Sequence, residues 1–170
     1  MYGFSESGNL RLVLEIQCSF CALALFEVFE ENDSFTVYWR KCLKDRDLIN
    51  QIIADPILNS KKMPLNELYK SPEYSEFLNK ILPVSKYVLD ERQKSIVTSL
   101  LENGLDKEVK KHYGRDGHSY ELKLYRPNEE IFRCRCVVPD EWKDFKNVIN
   151  LLVNEISGLD DLRYGYLNKK

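Results

Sequence analysis

An α+β fold, with an antiparallel sheet of about five strands packed on one face by helices, is what this sequence predicts. Three observations predict it. Apolar residues alternate at every second position in two separate stretches, 10–40 and 119–138. Between these stretches, and again after Pro139, apolar residues recur at intervals of three and four behind capping residues. No repeat or low-complexity linker interrupts the 170 residues, a length that suits one core, so a single domain over 1–170 is expected.

The first stretch reads as a three-stranded meander. Residues 1–9, with Gly3 and Gly8, form an irregular lead-in. Leu10, Leu12, Leu14 and Ile16 then share one side of a strand, with Arg11, Glu15 and Gln17 on the other. From Cys21 to Glu30 both sides start apolar, as in a strand covered on both faces, and the join near Ser19 has no turn residue to mark it. Glu31-Asn32-Asp33-Ser34 is a turn by composition, and Phe35, Val37 and Trp39 alternate with Thr36, Tyr38 and Arg40 beyond it.

The middle of the chain is helical. Leu48, Ile49, Ile52 and Ile53 are spaced for a helix that Asp55-Pro56 ends. A short turn follows Pro64. Ser71-Pro72 opens a clearer helix with Tyr74, Phe77, Leu78, Ile81 and Leu82 on one side. Asp90 and Gln93 form a capping box ahead of Ile96, Val97, Leu100 and Leu101, and Gly104 supplies the stop.

The last third builds a packing unit. Asp116-Gly117 turns the chain into a strand in which Tyr120, Leu122 and Leu124 alternate with Glu121, Lys123 and Tyr125. A second strand puts Phe132, Cys134, Cys136 and Val138 on one side and Arg133 and Arg135 on the other, until Pro139 ends the ladder. Asp140 is placed to cap a helix carrying Trp142, Phe145, Ile149, Leu152 and Ile156, and Gly158 ends it. The stripe of Trp142, Phe145, Ile149 and Leu152 should meet Tyr120, Leu122, Leu124 and one face of 132–138. The tail beyond Gly158 is expected to fray.

Composition narrows the function. Net charge is −2, which argues against a dedicated nucleic-acid binder, because such a protein needs a concentrated basic face. Lys107, Lys110, Lys111 and Arg115 read as a solvated helix end. The most apolar run, Ile16 to Phe26, is too short to span a bilayer and is flanked by Glu15 and Glu27. With no secretory pattern at the start, a cytoplasmic protein with no membrane association is expected. The cysteines, Cys18, Cys21, Cys42, Cys134 and Cys136, sit among strand-forming neighbours and read as reduced core thiols. Cys18-Ser-Phe-Cys21 lacks the glycine turn of a zinc knuckle, so neither a metal nor a cofactor is expected.

Two sets of residues carry chemical possibilities. His112, Asp116 and His118 lie in one loop, where Asp116 could orient an imidazole for acid–base chemistry; the simpler reading is a polar turn. No glycine-rich phosphate loop, G-x-S-x-G elbow or H-E-x-x-H helix accompanies them. Arg133 and Arg135, beside Glu121 and Lys123, would make the charged side of a sheet, suited to cross-strand ion pairs or to an acidic partner. With Tyr38, Arg40 and Tyr125 they are the candidate binding residues, since interfaces favour Tyr, Trp and Arg.

The run Asp116-Gly117-x-x-Tyr120-x-Leu122, a basic and aromatic strand, then Pro139 and Trp142-x-x-Phe145-x-x-x-Ile149-x-x-Leu152, resembles the C-terminal half of small bacterial α+β proteins. Some of these have no assigned role and others are immunity proteins of toxin systems. The shared positions are structural, so the resemblance implies a binding protein and carries no site residue with it. The expected function is a non-enzymatic protein-binding domain, such as a toxin-neutralising immunity protein. The alternative is a small hydrolase or nuclease built on His112, Asp116 and His118.

Overall fold

Two-residue periodicity in five strands, with one short strand paired at their edge, places one sheet at the centre of the chain. A computed structural model describes residues 9–18, 23–42, 45–107, 118–135 and 137–158. Strands β1 (Asn9–Cys18), β2 (Leu23–Glu31), β3 (Ser34–Cys42), β4 (Ser85–Val88), β5 (His118–Tyr125) and β6 (Glu129–Arg135) form an antiparallel sheet in the order β4-β3-β2-β1-β5-β6. The sheet thus has six strands where about five were expected. The extra one is β4, Ser-Lys-Tyr-Val, which is too short to show an alternation and pairs only through Ser85–Val88 against Trp39–Thr36. Between β2 and β3, Asn32 and Asp33 have φ of 49° and 61°. That left-handed pair makes the primed turn that matches strand twist, and short polar side chains are the non-glycine residues that tolerate it best.

The helices are α1 (Asp45–Ala54), α2 (Pro56–Ser60), α3 (Leu65–Leu68), α4 (Pro72–Ile81), α5 (Glu91–Asn103) and α6 (Lys143–Ile149). The starts of α2, α4 and α5 carry side-chain caps. Asp55 accepts from the amides of Ile57 and Leu58, with Pro56 in the first turn. Ser71 accepts from Tyr74, and Asp90 with Gln93 completes a reciprocal capping box. At the end of α5 the chain turns at Gly104, with φ of 65°. A side chain there would collide with Arg126, whose Nη1 donates to the carbonyls of Leu101 at 3.1 Å and Glu102 at 3.3 Å. Arg126 also pairs with Glu130, so one guanidinium closes the helix end and grips the β5–β6 hairpin.

The last helix starts later than Asp140. Its first position follows Trp142, which makes no side-chain cap, while Asp140 lies in a turn and pairs with Lys146. Trp142 is 1% exposed, donates Nε1–H to the carbonyl of Asp106 at 2.9 Å and stands edge-on to Phe132. Burying an indole outweighs a cap bond of about 1 kcal/mol, so the tryptophan sets the start. From Asn150 to Ser157 the helix continues as a π-helix and stops at Gly158, with φ of 59°. The wider turn brings Leu151, Leu152 and Val153 inside together, where a regular helix would turn one of them outward.

The sheet divides space into two sides. Its inner face carries Leu12, Leu14, Ile16, Ala24, Phe26, Val28, Val37, Tyr120, Leu122, Leu124, Phe132 and Cys134, in one cluster with α5, α6 and the π-helix. Tyr120 meets Phe145 and Phe132 meets Trp142, both edge to face, as the stripe on the last helix requires. A second cluster, Leu48, Ile52, Leu58, Leu68, Tyr74, Phe77, Leu78 and Leu82, belongs to α1–α4 and the turn after them, and contains no residue of the sheet. Among the described residues no helix is long and apolar enough to cross a membrane.

Candidate functional site

Antiparallel register decides which side chains share the outer face. Across β3, β2, β1, β5 and β6, one row runs Tyr38, Glu27, Val13, Lys123, Ile131 and the next runs Arg40, Leu25, Glu15, Glu121, Arg133. The two ends of these rows differ. On β2 and β3, Glu27 is 7% exposed, Tyr38 6% and Arg40 5%. Phe29 is buried beside them, edge-on to Tyr38 with ring centroids 5.7 Å apart, and Lys86 of β4 lies over the tyrosine ring. On β5 and β6, Arg133 and Arg135 are exposed and Ile131 is 40% exposed.

The open end holds a shallow groove of about 260 Å³, lined by Glu15, Gln17, Ser119, Glu121, Arg133 and Arg135, with Tyr120 and Cys134 beneath. It is smaller than the ~300–1,000 Å³ of a usual small-molecule pocket. Register sets two carboxylates, Glu15 and Glu121, directly opposite each other, an arrangement that repels. Cations and an amide offset it. Arg133 Nε donates to Glu121 Oε2 at 2.6 Å, Lys123 Nζ lies 3.4 Å from Glu121 Oε1, and Gln17 Nε2 donates to Glu15 Oε1 at 2.6 Å. The hydrogen bond from Arg133 holds the Glu121 carboxyl below the usual carboxylate range. Tyr125, half-buried at the end of the same face, has its hydroxyl pKa raised, first by burial and then by Glu129.

The structure therefore divides the expected binding residues. Arg133 and Arg135 share the open groove, and Tyr125 lies on the same face at the other end of the hairpin, opposite Glu129. Tyr38 and Arg40 point to the same side of the sheet but are buried, so they offer no contact surface in this conformation. Alternation says which side a residue faces; it carries no signal for what lies over that side. The groove residues that sequence reasoning did not single out, Glu15, Gln17 and Ser119, come from a strand distant in sequence and from the first residues of β5. Only the β1–β5 pairing reveals them.

Of the alternative catalytic set, His112 and Asp116 lie outside the described residues. His118 is 3% exposed on the inner face, its ring stacked on Tyr120 with centroids 6.1 Å apart. Neither ring nitrogen has a hydrogen-bond partner among the described residues, and burial lowers its pKa from the usual 6.5. Cys134 is buried; the side chains of the other cysteines lie outside the description. No group of His, Cys, Asp and Glu among the described residues is arranged to hold a metal. Of the basic run, Lys107 is described: it pairs with Glu130 at 3.4 Å and lies over the ring of Phe132.

Comparison with protein-family models, with curated proteins and with solved structures finds no match to this chain. No residue's role is inherited from a relative, and the functional reading rests on the groove's own geometry.

Proposed function

We propose that this chain is a protein-binding domain whose contact face is the open end of the sheet's outer side, around Arg133, Arg135, Ile131 and Tyr125. The observation that carries the reading is the contrast in exposure on one face: a wet, mixed-charge surface with an apolar residue in it, next to a half that is closed. A shallow surface with arginine, tyrosine and an exposed aliphatic side chain suits a protein partner better than a small substrate. The two arginines favour an acidic region of that partner, while Glu15 and Glu121 penalise a partner of uniform negative charge. A toxin-neutralising immunity role, as the C-terminal pattern suggests, is the biological setting we favour. The hydrolase reading has less support, since His118 would have to leave the inner face to reach a substrate.

The test is capture of stoichiometric partners from the native host by the wild-type chain and by the double variant Arg133→Glu/Arg135→Glu. A partner retained by the first and lost by the second is expected. A partner held equally by both would remove this face from the reading. For the immunity role, co-expression with a toxin encoded beside the gene should restore growth, and unchanged killing would end that part of the proposal.

A further inference from the structure

We propose that the free edge of β6 pairs with the same edge of a second copy of this chain, antiparallel across a two-fold axis at Ile131, joining two sheets into one. β6 is the last strand of the sheet, and no described strand pairs with its outer side. Such an edge offers unpaired backbone groups to any extended segment. The opposite edge, β4, is blunt by comparison: it has four residues with a lysine among them. β6 has seven residues, Glu-Glu-Ile-Phe-Arg-Cys-Arg, with neither lysine nor proline.

The order of charge along β6 selects the occupant. Acidic residues begin the strand and basic residues end it. A parallel neighbour of the same sequence would set like charges side by side, whereas an antiparallel one sets acid against base. A two-fold axis normal to the sheet also keeps each face on its own side, so a residue opposes only residues of its own face. With the axis at Ile131, the outer face then pairs Ile131 with its own copy and Glu129 with Arg133, twice.

Each of these side chains is available. Ile131 is 40% exposed, an uncommon state for a strand isoleucine, and self-pairing covers it. The Arg133 side chain is 66% exposed and uses Nε for Glu121, leaving its Nη groups for a second carboxylate. Moving the axis by one residue, to Phe132, would set Ile131 against Arg133 and lose the apolar contact. A single added strand pair is small beside the ~1,200–2,000 Å² of a stable interface, so the association is weak and concentration-dependent. The pairing adds the backbone edge of β6 and Glu129 to Ile131 and Arg133 of the proposed partner face, so a dimer covers part of that face; a mixture of charge-swapped variants distinguishes self-pairing from partner binding.

Sedimentation velocity over a concentration series tests the pairing. The wild-type chain should pass from monomer to dimer as concentration rises. Glu129→Arg alone and Arg133→Glu alone should each stay monomeric, because each sets like charges opposite one another twice. An equimolar mixture of these two variants should recover the dimer, because both cross-strand pairs are then opposite in sign. Ile131→Lys, a second disruptive change at an exposed position, should also stay monomeric, with circular dichroism confirming that each variant is folded. A wild-type chain that remains monomeric throughout overturns the proposal. So does a dimer that the single variants leave intact, or a mixture that fails to recover it.

Discussion

On β2 and β3 four of the outward residues, Phe29, Glu27, Tyr38 and Arg40, are no more than 7% exposed, with Leu25 and Thr36 partly buried beside them, whereas on β5 and β6 Glu121, Lys123, Arg133 and Arg135 are in contact with solvent. Both halves use the same alternation of aromatic, aliphatic and charged residues. The difference lies in what they contribute. A covered outward residue adds burial to the stability of the fold, and its charge must be compensated inside. An open one adds little stability, because its ion pairs are solvated, and keeps its side chain for a partner.

Substitutions can break that contrast, the largest effect first. Phe29→Ala should destabilise the chain by about 3–5 kcal/mol in urea unfolding, as for a buried core aromatic. A loss below about 1 kcal/mol would show that the β2–β3 half is as open as the other. Leu152→Ala, from the fully buried inner face, is the reference, with an expected loss of about 2–5 kcal/mol. If Phe29→Ala costs clearly less than this reference, the outer cover is looser than the inner core.

His118→Phe comes next and reads out as a change in pH dependence. The folded chain holds this imidazole with a lowered pKa, so it binds fewer protons than the unfolded chain. The stability linked to His118 is therefore complete above the ordinary value of 6.5 and falls away as pH drops below it towards the folded pKa. The phenylalanine variant should lose this slope, and an unchanged slope would mean that the histidine is solvated. The smallest effect belongs to Arg133→Ala, which should change stability by no more than about 1 kcal/mol. It should also weaken the acid limb, since Glu121 is held below 4.5 mainly by Arg133 and that contribution is lost as pH falls through the carboxylate range. A larger loss at neutral pH would place Arg133 with the covered half.

The physics of local signals explains which parts of this architecture could be read without coordinates. Ser71 and the Asp90–Gln93 pair act on amides within three residues, so they announce helix starts directly, whereas Asp55-Pro56 reads as a stop and in the structure also caps the short α2. The inner stripe from Trp142 onward was legible for the same reason. The late start of that helix was not, because it depends on Trp142 reaching Asp106, which is distant in sequence. The pairing of β1 with β5 is equally non-local, and it assembles the groove by setting Glu15 against Glu121. Alternation places Arg133 and Arg135 outward, where they are exposed. The same rule places Tyr38 and Arg40 outward, and it does not report that they are buried.

Arg126 ties residues that would otherwise open separately. It holds the carbonyls of Leu101 and Glu102 at the end of α5 and the carboxylate of Glu130 at the start of β6, and Gly104 leaves room for it. A fluctuation that frays the end of α5 must then also loosen the β5–β6 hairpin. In hydrogen exchange the amides near Leu101 and those near Glu130 should behave as one cooperative unit, with closely similar opening free energies. The edge strand that faces outward would thus owe its persistence to a helix on the other side of the sheet.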